Sequence, residues 1–393
     1  MPHPSLSGGH LYPYSVLSHL ASNGFEVNVL LLEPWTVHGL MAYAKKSWEG
    51  VAFRFLFPAY YSLGPWKWHP VGVLRAFQTI LSRNCALVRP PKAYPAADWW
   101  SEPDAGELRL VDRAAENKAW DIVMCYLANC TPALDLFGSD VKKVVLPMDA
   151  FHLSKDPTFA GMTYERERGL LSKADVVVAI NQKEARIFQE MLPEKQIICA
   201  RTAMPPMFSD RNTVSGRLLF VASSYAPNLE GIGWFLSHVA PLLEKLAPGH
   251  FTLHVAGNCC IHIQKNDSGL SVNLLGRVEN LEKEYEEAES VITPLLSGTG
   301  VSAKAVEAVA HGKALVATSV GARGLEEFFG EAILIGDSPE DFAKRLMEIS
   351  FSSAKRNHAE CCAKSVTLNE LSPEKSYAKL VEALRCYKSF RCK

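Results

Sequence analysis

The sequence predicts an α/β protein built on parallel sheets, and three observations carry that prediction. Short β-branched apolar runs alternate with amphipathic segments along most of the chain. The runs are apolar throughout, as strands covered on both faces must be. The stretch Arg201–Arg217 carries Pro, Asn, Ser and Gly without periodicity and reads as a linker. The predicted organisation is two α/β domains, 1–205 and 206–372, followed by a C-terminal helix over 373–393.

Taken in order, Tyr14–Asn23 reads as a helix and Val27–Leu32 as a strand. Residues 51–103 interrupt the pattern with aromatics and Pro, including Trp66, Trp68, Trp99 and Trp100. Seven of the eight Trp fall within the first 120 residues. They read either as core and loop fillers or as a surface for a sugar or lipid-linked ligand, since aromatic rings suit both. Strands are predicted at Ile122–Leu127, Val144–Leu146 and Val176–Ile180, with helices at Tyr164–Lys173 and Glu184–Met191. After the linker come strands Leu218–Ala222, Leu253–Ala256, Val291–Leu295, Leu315–Thr318 and Ile333–Ile335. Helices Gly231–Leu246 and Lys304–His311 lie among them, and the acidic stretch Glu279–Glu289 reads as a solvated helix face.

Composition narrows the function. The chain has 393 residues, with 41 Lys and Arg against 42 Asp and Glu, a net charge of −1. That balance argues against a nucleic-acid binder, whose footprint is basic. Apolar residues at 48% and charged residues at 21% exclude a mostly disordered chain. No apolar run reaches the ~18 residues of a membrane span. The start Met-Pro-His-Pro has neither the basic nor the apolar region of a secretory leader, so a cytoplasmic protein is expected. Ten Cys occur without a C-x-x-C spacing, which reads as reduced thiols rather than a zinc or disulfide framework.

The segment Val291–Lys313 reads strand, Gly loop, helix, with Gly312 as the stop. Gly298 and Gly300 let the backbone turn tightly and approach a ligand. The amides of Gly300, Val301 and Ser302 are expected free at the helix N-terminus, an arrangement that favours an anion such as phosphate. Lys304, Glu307 and His311 share one helix face. From there Lys304 could reach a diphosphate and Glu307 ribose hydroxyls; alternatively the two form a surface i, i+3 pair. Pro147-Met-Asp149-Ala-Phe-His152 follows a predicted strand. Asp149 would then stand at a strand's C-terminal end, where open α/β sheets bind ligands, with His152 or His10 in the same role; each reads equally well as a loop cap.

Residues 218–338 resemble the C-terminal domain of family 4 (group 1) retaining glycosyltransferases of GT-B fold. The resemblance rests on Leu218-Leu-Phe-Val-Ala-Ser, Ala226-Pro-Asn-Leu, Gly233-Trp-Phe-Leu, His254-Val-Ala-Gly and Leu275-Gly-Arg-Val. The Ser297-Gly-Thr-Gly loop with Lys304 and Glu307, and then Ala317-Thr-Ser-Val-Gly-Ala-Arg-Gly-Leu, follow in family order. It implies two Rossmann-like parallel-sheet domains facing across a cleft, with a nucleotide-sugar donor held by the second. Glu307 would hold the donor ribose and Lys304 face the diphosphate. Thr299 stands where the family often has a further Glu, and Ser302 where an Arg is common, so Arg277 or Arg323 would supply part of the positive charge. Pro2–His10 looks like the loop after the family's first strand, with the amides of Gly8 and Gly9 facing the donor phosphates; the first strand itself is then missing.

The resemblance implies transfer of a sugar from a UDP- or GDP-sugar to a glycan or lipid-linked acceptor hydroxyl, with retention. No D-x-D occurs, so no metal is expected, and no cofactor beyond the donor as substrate. Weak peripheral contact with the inner face of a membrane would suit a lipid-linked acceptor. A nucleotide-sugar epimerase of the same fold and a non-catalytic nucleotide-sugar binder remain alternatives. A dinucleotide oxidoreductase is disfavoured because no G-x-G-x-x-G follows a first strand.

Overall fold

The computed structural model describes residues 8–30, 53–56, 61–63, 66–68, 102–103, 105–116, 119–154, 159–209, 213–263, 268–298 and 300–391. The expectations for Trp99, Trp100 and Thr299 lie outside these residues, as do those for most of 51–103. Two compact units result. One gathers Val16–Ala179, Arg186–Ile198 and Leu380–Lys393; the other gathers Met1–Ser15, Ile180–Ala185 and Cys199–Lys379.

Helix α1, Gly8–Ser22, comes first. In the first unit β1, Val27–Leu30, pairs in parallel with β2, Phe53–Leu56. The short strands β3, Tyr61–Leu63, and β4, Trp66–Trp68, form an antiparallel hairpin. Helix α2, Ala105–Glu116, precedes β5, Ile122–Tyr126, and β6, Lys142–Leu146. Then follow α3, Tyr164–Leu171, β7, Val176–Ala179, α4, Gln182–Met191, and β8, Gln196–Cys199. The sheet order is β5-β6-β7-β8. Every residue of β7 is buried, as a strand covered on both faces requires. Thr163 starts α3 by accepting a hydrogen bond from the Arg166 amide at 3.2 Å. Among the described residues no ladder joins β1 to β5.

The second unit is a six-stranded parallel sheet of order β11-β10-β9-β12-β13-β14. Its strands are β9 (Arg217–Val221), β10 (Thr252–Ala256), β11 (Ser271–Gly276), β12 (Ser290–Thr293), β13 (Leu315–Ala317) and β14 (Ile333–Ile335). Alternation along β9 divides the core. Leu218 and Phe220 join one cluster with Phe235, Val239 and Phe342. Leu219 joins the other, with Val306, Val309 and Ile333.

The helix predicted over Gly231–Leu246 forms and begins earlier, at Ala226, with a π turn inside it. α5, Ala226–Trp234, and α6, Ala240–Leu246, flank a wide π turn at Phe235–Val239, where the Ala240 amide bonds the Phe235 carbonyl. Pro241, at the start of α6, has no N–H to bond four residues back, so the turn widens. After α7, Leu281–Glu287, and α8, Ala303–Ala310, come α9, Pro339–Phe351, and α10, Ser353–Val366. The helix expected from Pro373 is broken at Tyr377 into α11, Pro373–Ser376, and α12, Ala378–Arg391. The end of α12 belongs to the first unit, where Arg385 donates to the Asn23 carbonyl at 2.9 Å and Tyr387 to that of Asp140 at 2.7 Å.

Two readings of the sequence change. The acidic stretch is not simply a solvated face: Arg217 pairs with both Glu284 and Glu287 of α7, and Tyr285 between them is buried. Glu289, 2% exposed, accepts from the Gly216 amide (2.9 Å), Ser350 (2.6 Å) and Arg356 (2.9 Å). The linker is also held, since the Met207 amide bonds the Ala310 carbonyl at 2.9 Å and that of Met204 bonds Leu371 at 3.0 Å. Among the described residues no helix is long and apolar enough to cross a membrane.

Candidate functional site

β12 delivers the chain into the Gly loop, and its exit is fixed on two sides. Gly231 of α5 lies so close that a Cβ there would come within 2.6 Å of the Pro294 carbonyl oxygen. On the other side Thr318 donates to the Leu295 carbonyl at 2.5 Å and accepts from the Gly321 amide at 2.9 Å. Beyond this base Ser297 donates to Glu230 at 2.6 Å. Gly298 (φ 129°) and Gly300 (φ 68°) hold left-handed conformations that L side chains rarely adopt, which explains both glycines.

Arg323 is the arginine that packs on this loop. Its Nε donates to the Gly300 carbonyl at 3.0 Å and its Nη1 to that of Val320 at 2.6 Å, while the guanidinium lies against Gly298. Arg277 is exposed in the turn after β11. Of the two arginines the sequence offered, Arg323 is the one whose guanidinium is built into the loop.

α8 begins at Ala303 with Ser302 as its N-cap. Here an expectation is corrected: the Ser302 amide is not free, because it donates to the Arg323 carbonyl at 3.0 Å. The Ser302 hydroxyl instead is 5% exposed and has no hydrogen-bond partner among the described residues. A buried hydroxyl left without a partner costs ~1–3 kcal/mol. Gly300 and Val301 stand directly before the helix, with the Val301 side chain closely packed on Gly324.

Lys304 and Glu307 follow within two turns, and both are partly buried. Burial lowers the Lys304 ammonium from its ordinary value; Glu307 opposes that shift and Arg323 adds to it. Burial pushes the Glu307 carboxyl up to about 7 against the opposing pull of Tyr285 and Lys304. The Tyr285 ring lies flat on His311, with centroids 3.9 Å apart and planes 7° apart. Burial drives His311 down to about 4, so this imidazole is neutral at ordinary pH. Lys304 thus sits within electrostatic reach of both Glu307 and Arg323 beside the Gly loop. The site offers a cationic rim, an unpartnered hydroxyl and a carboxyl that titrates near neutrality.

The other expected residues fall elsewhere. Gly8 and Gly9 form the first turn of α1 rather than a loop. His10 lies in the same helix. Asp149 is half-buried just past the end of β6, in the first unit. Sequence reasoning missed Tyr285 and Glu230. Tyr285 carried one signal: it is the aromatic residue in a helix that is charged at every other position but Leu281. Among the described residues no three His, Cys, Asp or Glu side chains gather as a metal site would need.

Residues 215–350, within the second unit, match the family model for glycosyl transferases group 1. An uncharacterized 44.6 kDa protein in the cps region of Klebsiella pneumoniae is 31% identical over 143 residues. That match covers 34% of this chain and 37% of the relative, just over a third of its length. Among solved structures, a glycosyltransferase from Rickettsia africae superposes with a TM-score of 0.63 at 12% identity, covering 98% of this chain and 97% of that one. HepE from Anabaena, solved with UDP and glucose, gives 0.60 at 12% identity, with 98% and 97% covered. A TarM variant from S. aureus, solved with fondaparinux, α-GlcNAc-glycerol and UDP, gives 0.56 at 15% identity, with 71% of this chain and 59% of TarM covered. These likenesses show the fold: two parallel-sheet domains of the GT-B glycosyltransferase kind.

Proposed function

We propose that this protein is a glycosyltransferase. It moves a sugar from a UDP- or GDP-sugar to a hydroxyl of a glycan or lipid-linked acceptor, with retention and without a metal ion. The reading is carried by one observation: the Gly loop and α8 N-terminus present the unpartnered Ser302 hydroxyl beside Lys304 and Arg323.

In this mechanism the negative charge that builds on the departing nucleoside diphosphate is met by fixed groups. These are the backbone of Gly298, Gly300 and Val301, the Ser302 hydroxyl, the helix dipole, Lys304 and Arg323. Such preorganised charge lowers the barrier because it needs no rearrangement at the moment of transfer. Glu307, once ionised, accepts from the donor ribose hydroxyls. The acceptor hydroxyl attacks from the face that the leaving group vacates, which fits retention without a carboxylate nucleophile. Asp149 is assigned to hold acceptor or sugar hydroxyls, and Gly8 and Gly9 to approach the donor phosphates. The match to a protein of a cps region supports a step in polysaccharide assembly.

The test is thermal-shift binding of UDP, GDP, ADP and CMP to the wild type, Lys304→Ala and Glu307→Gln. The expected result is stabilisation by one nucleotide that both variants lose. A cooperatively melting wild type that none of the four stabilises would overturn the reading.

A further inference from the structure

We propose that Glu230 selects the donor by its sugar. Its carboxylate accepts hydrogen bonds from the hydroxyls of a neutral hexose and rejects a uronic acid at the same place. The proposal rests on the transferase reading above and narrows the donor it uses.

Glu230 reaches the loop from a neighbouring helix. β9 and β12 lie side by side in the sheet, with Leu218 paired to Ser290 and Leu219 to Val291. α5 follows β9 and the Gly loop follows β12, so both stand at the strands' C-terminal edge, where open α/β sheets bind ligands. Glu230 directly precedes Gly231, whose close approach to Pro294 locks the helix against the base of the loop. From there Oε2 accepts from the Ser297 hydroxyl at 2.6 Å. Ser297 in turn directly precedes Gly298, against which the Arg323 guanidinium lies.

The loop does not need this hydrogen bond to hold its shape. Its base is already tied by Thr318 to Leu295 and by Gly231 to Pro294. Glu230 and Ser297 are both exposed, where a hydrogen bond adds little stability. What the bond does is aim the carboxylate. One oxygen is engaged, and among the described residues Oε1 has no partner.

Charge then decides what the free oxygen meets. The loop's other side is cationic, with Lys304 and Arg323 beside Ser302. A carboxylate repels a diphosphate, so Glu230 is no phosphate contact. It is an acceptor without a donor of its own, and the neutral, hydroxyl-bearing part of the donor is the hexose. A uronic acid there would set carboxylate against carboxylate, a repulsive element of the kind that gives specificity. Leu296, exposed directly before Ser297, and Tyr225, 57% exposed at the N-cap of α5, supply apolar surface for a sugar's C–H face on the same two elements.

The test is calorimetric titration of the full chain with UDP, UDP-glucose, UDP-galactose, UDP-N-acetylglucosamine and UDP-glucuronate. GDP, GDP-mannose and GDP-mannuronate take their places if GDP is the nucleotide bound. The wild type is expected to bind at least one neutral hexosyl nucleotide about tenfold more tightly than the bare nucleotide, and about tenfold more tightly than the uronate. Glu230→Gln removes the charge and keeps an amide oxygen to accept from Ser297. It should bind the bare nucleotide as tightly as the wild type or up to about threefold more so, lose most of the hexosyl gain and accept the uronate better. Ser297→Ala frees the carboxylate to turn and should lose part of the same gain, with the bare nucleotide unaffected. A Glu230→Gln protein that shifts the bare nucleotide and its sugars by one common factor has changed the loop alone, which overturns the proposal. Unchanged affinities in that variant, or a wild type that binds the uronate as tightly as the neutral sugars, overturn it too. A wild type that binds no nucleotide would instead count against the transferase reading, so the two failures are distinct.

Discussion

Arg323 closes over Gly298 so tightly that a Cβ on the glycine would come within 2.9 Å of Nη2, while Nε holds the carbonyl of Gly300. One arginine therefore holds the loop's shape and adds its charge beside that of Lys304. Gly298→Ala attacks both, since φ 129° strains an L residue and the methyl displaces the guanidinium. The expected cost is ~1–3 kcal/mol of stability together with weaker UDP binding. A chemical melt and a UDP titration check it.

Lys304→Ala should leave the unliganded fold as stable as the wild type or slightly more so. Burial and Arg323 both disfavour the Lys304 charge, so its removal relieves an unfavourable term. UDP affinity should fall at least ~tenfold, the scale of a lost charge-assisted hydrogen bond. Calorimetric titration beside a melting curve separates the two effects.

Glu307 predicts a pH dependence of known sign. Its carboxyl rests near 7 in the fold against an ordinary 4.5. Below the lower value both states are protonated. Between the two the unfolded chain ionises first, so stability falls as pH rises and the loss is complete above about 7. Glu307→Gln should abolish this slope and gain on the wild type by on the order of 1–2 kcal/mol between about pH 4.5 and pH 8, allowing for partial exposure. Melting temperatures across that range provide the check.

Glu289 should matter to the fold and not to the ligand. Removing it leaves Arg356 without its buried partner, so Glu289→Ala should cost ~3–5 kcal/mol in denaturant unfolding. The protein that remains folded should bind UDP as before.

UDP stabilisation should be equal with EDTA and with added magnesium. A shift that appears only with magnesium would overturn the metal-free arrangement of charges proposed for the loop.

The sheet was legible because parallel strands need long apolar runs, and β7, β9 and β12 supply them. The Gly loop, the Lys304 and Glu307 face and the Gly312 stop were legible because each depends on residues close in sequence. What stayed hidden depends on partners far along the chain. The Ser302 amide is taken by a carbonyl at position 323, and Arg217 reaches α7 across more than sixty positions. Glu167 carried a local hint, lying three residues before Leu170 on the inward face of α3, yet its partner at 152 could not be read from charge alone. The π turn between α5 and α6 was written in Pro241, which a purely hydrophobic pattern passes over.

The exit of β12 has a consequence for amide exchange. Gly321 presses on the Thr293 carbonyl so closely that no side chain fits there, Gly231 does the same at Pro294, and Thr318 ties down Leu295. Breathing motions that open the Gly loop have no way to propagate into this base without parting α5 from the sheet. Deuterium should therefore enter at Ser297, Gly298, Gly300 and Val301 long before it enters the β12 ladder, and a bound nucleotide should slow the former without touching the latter.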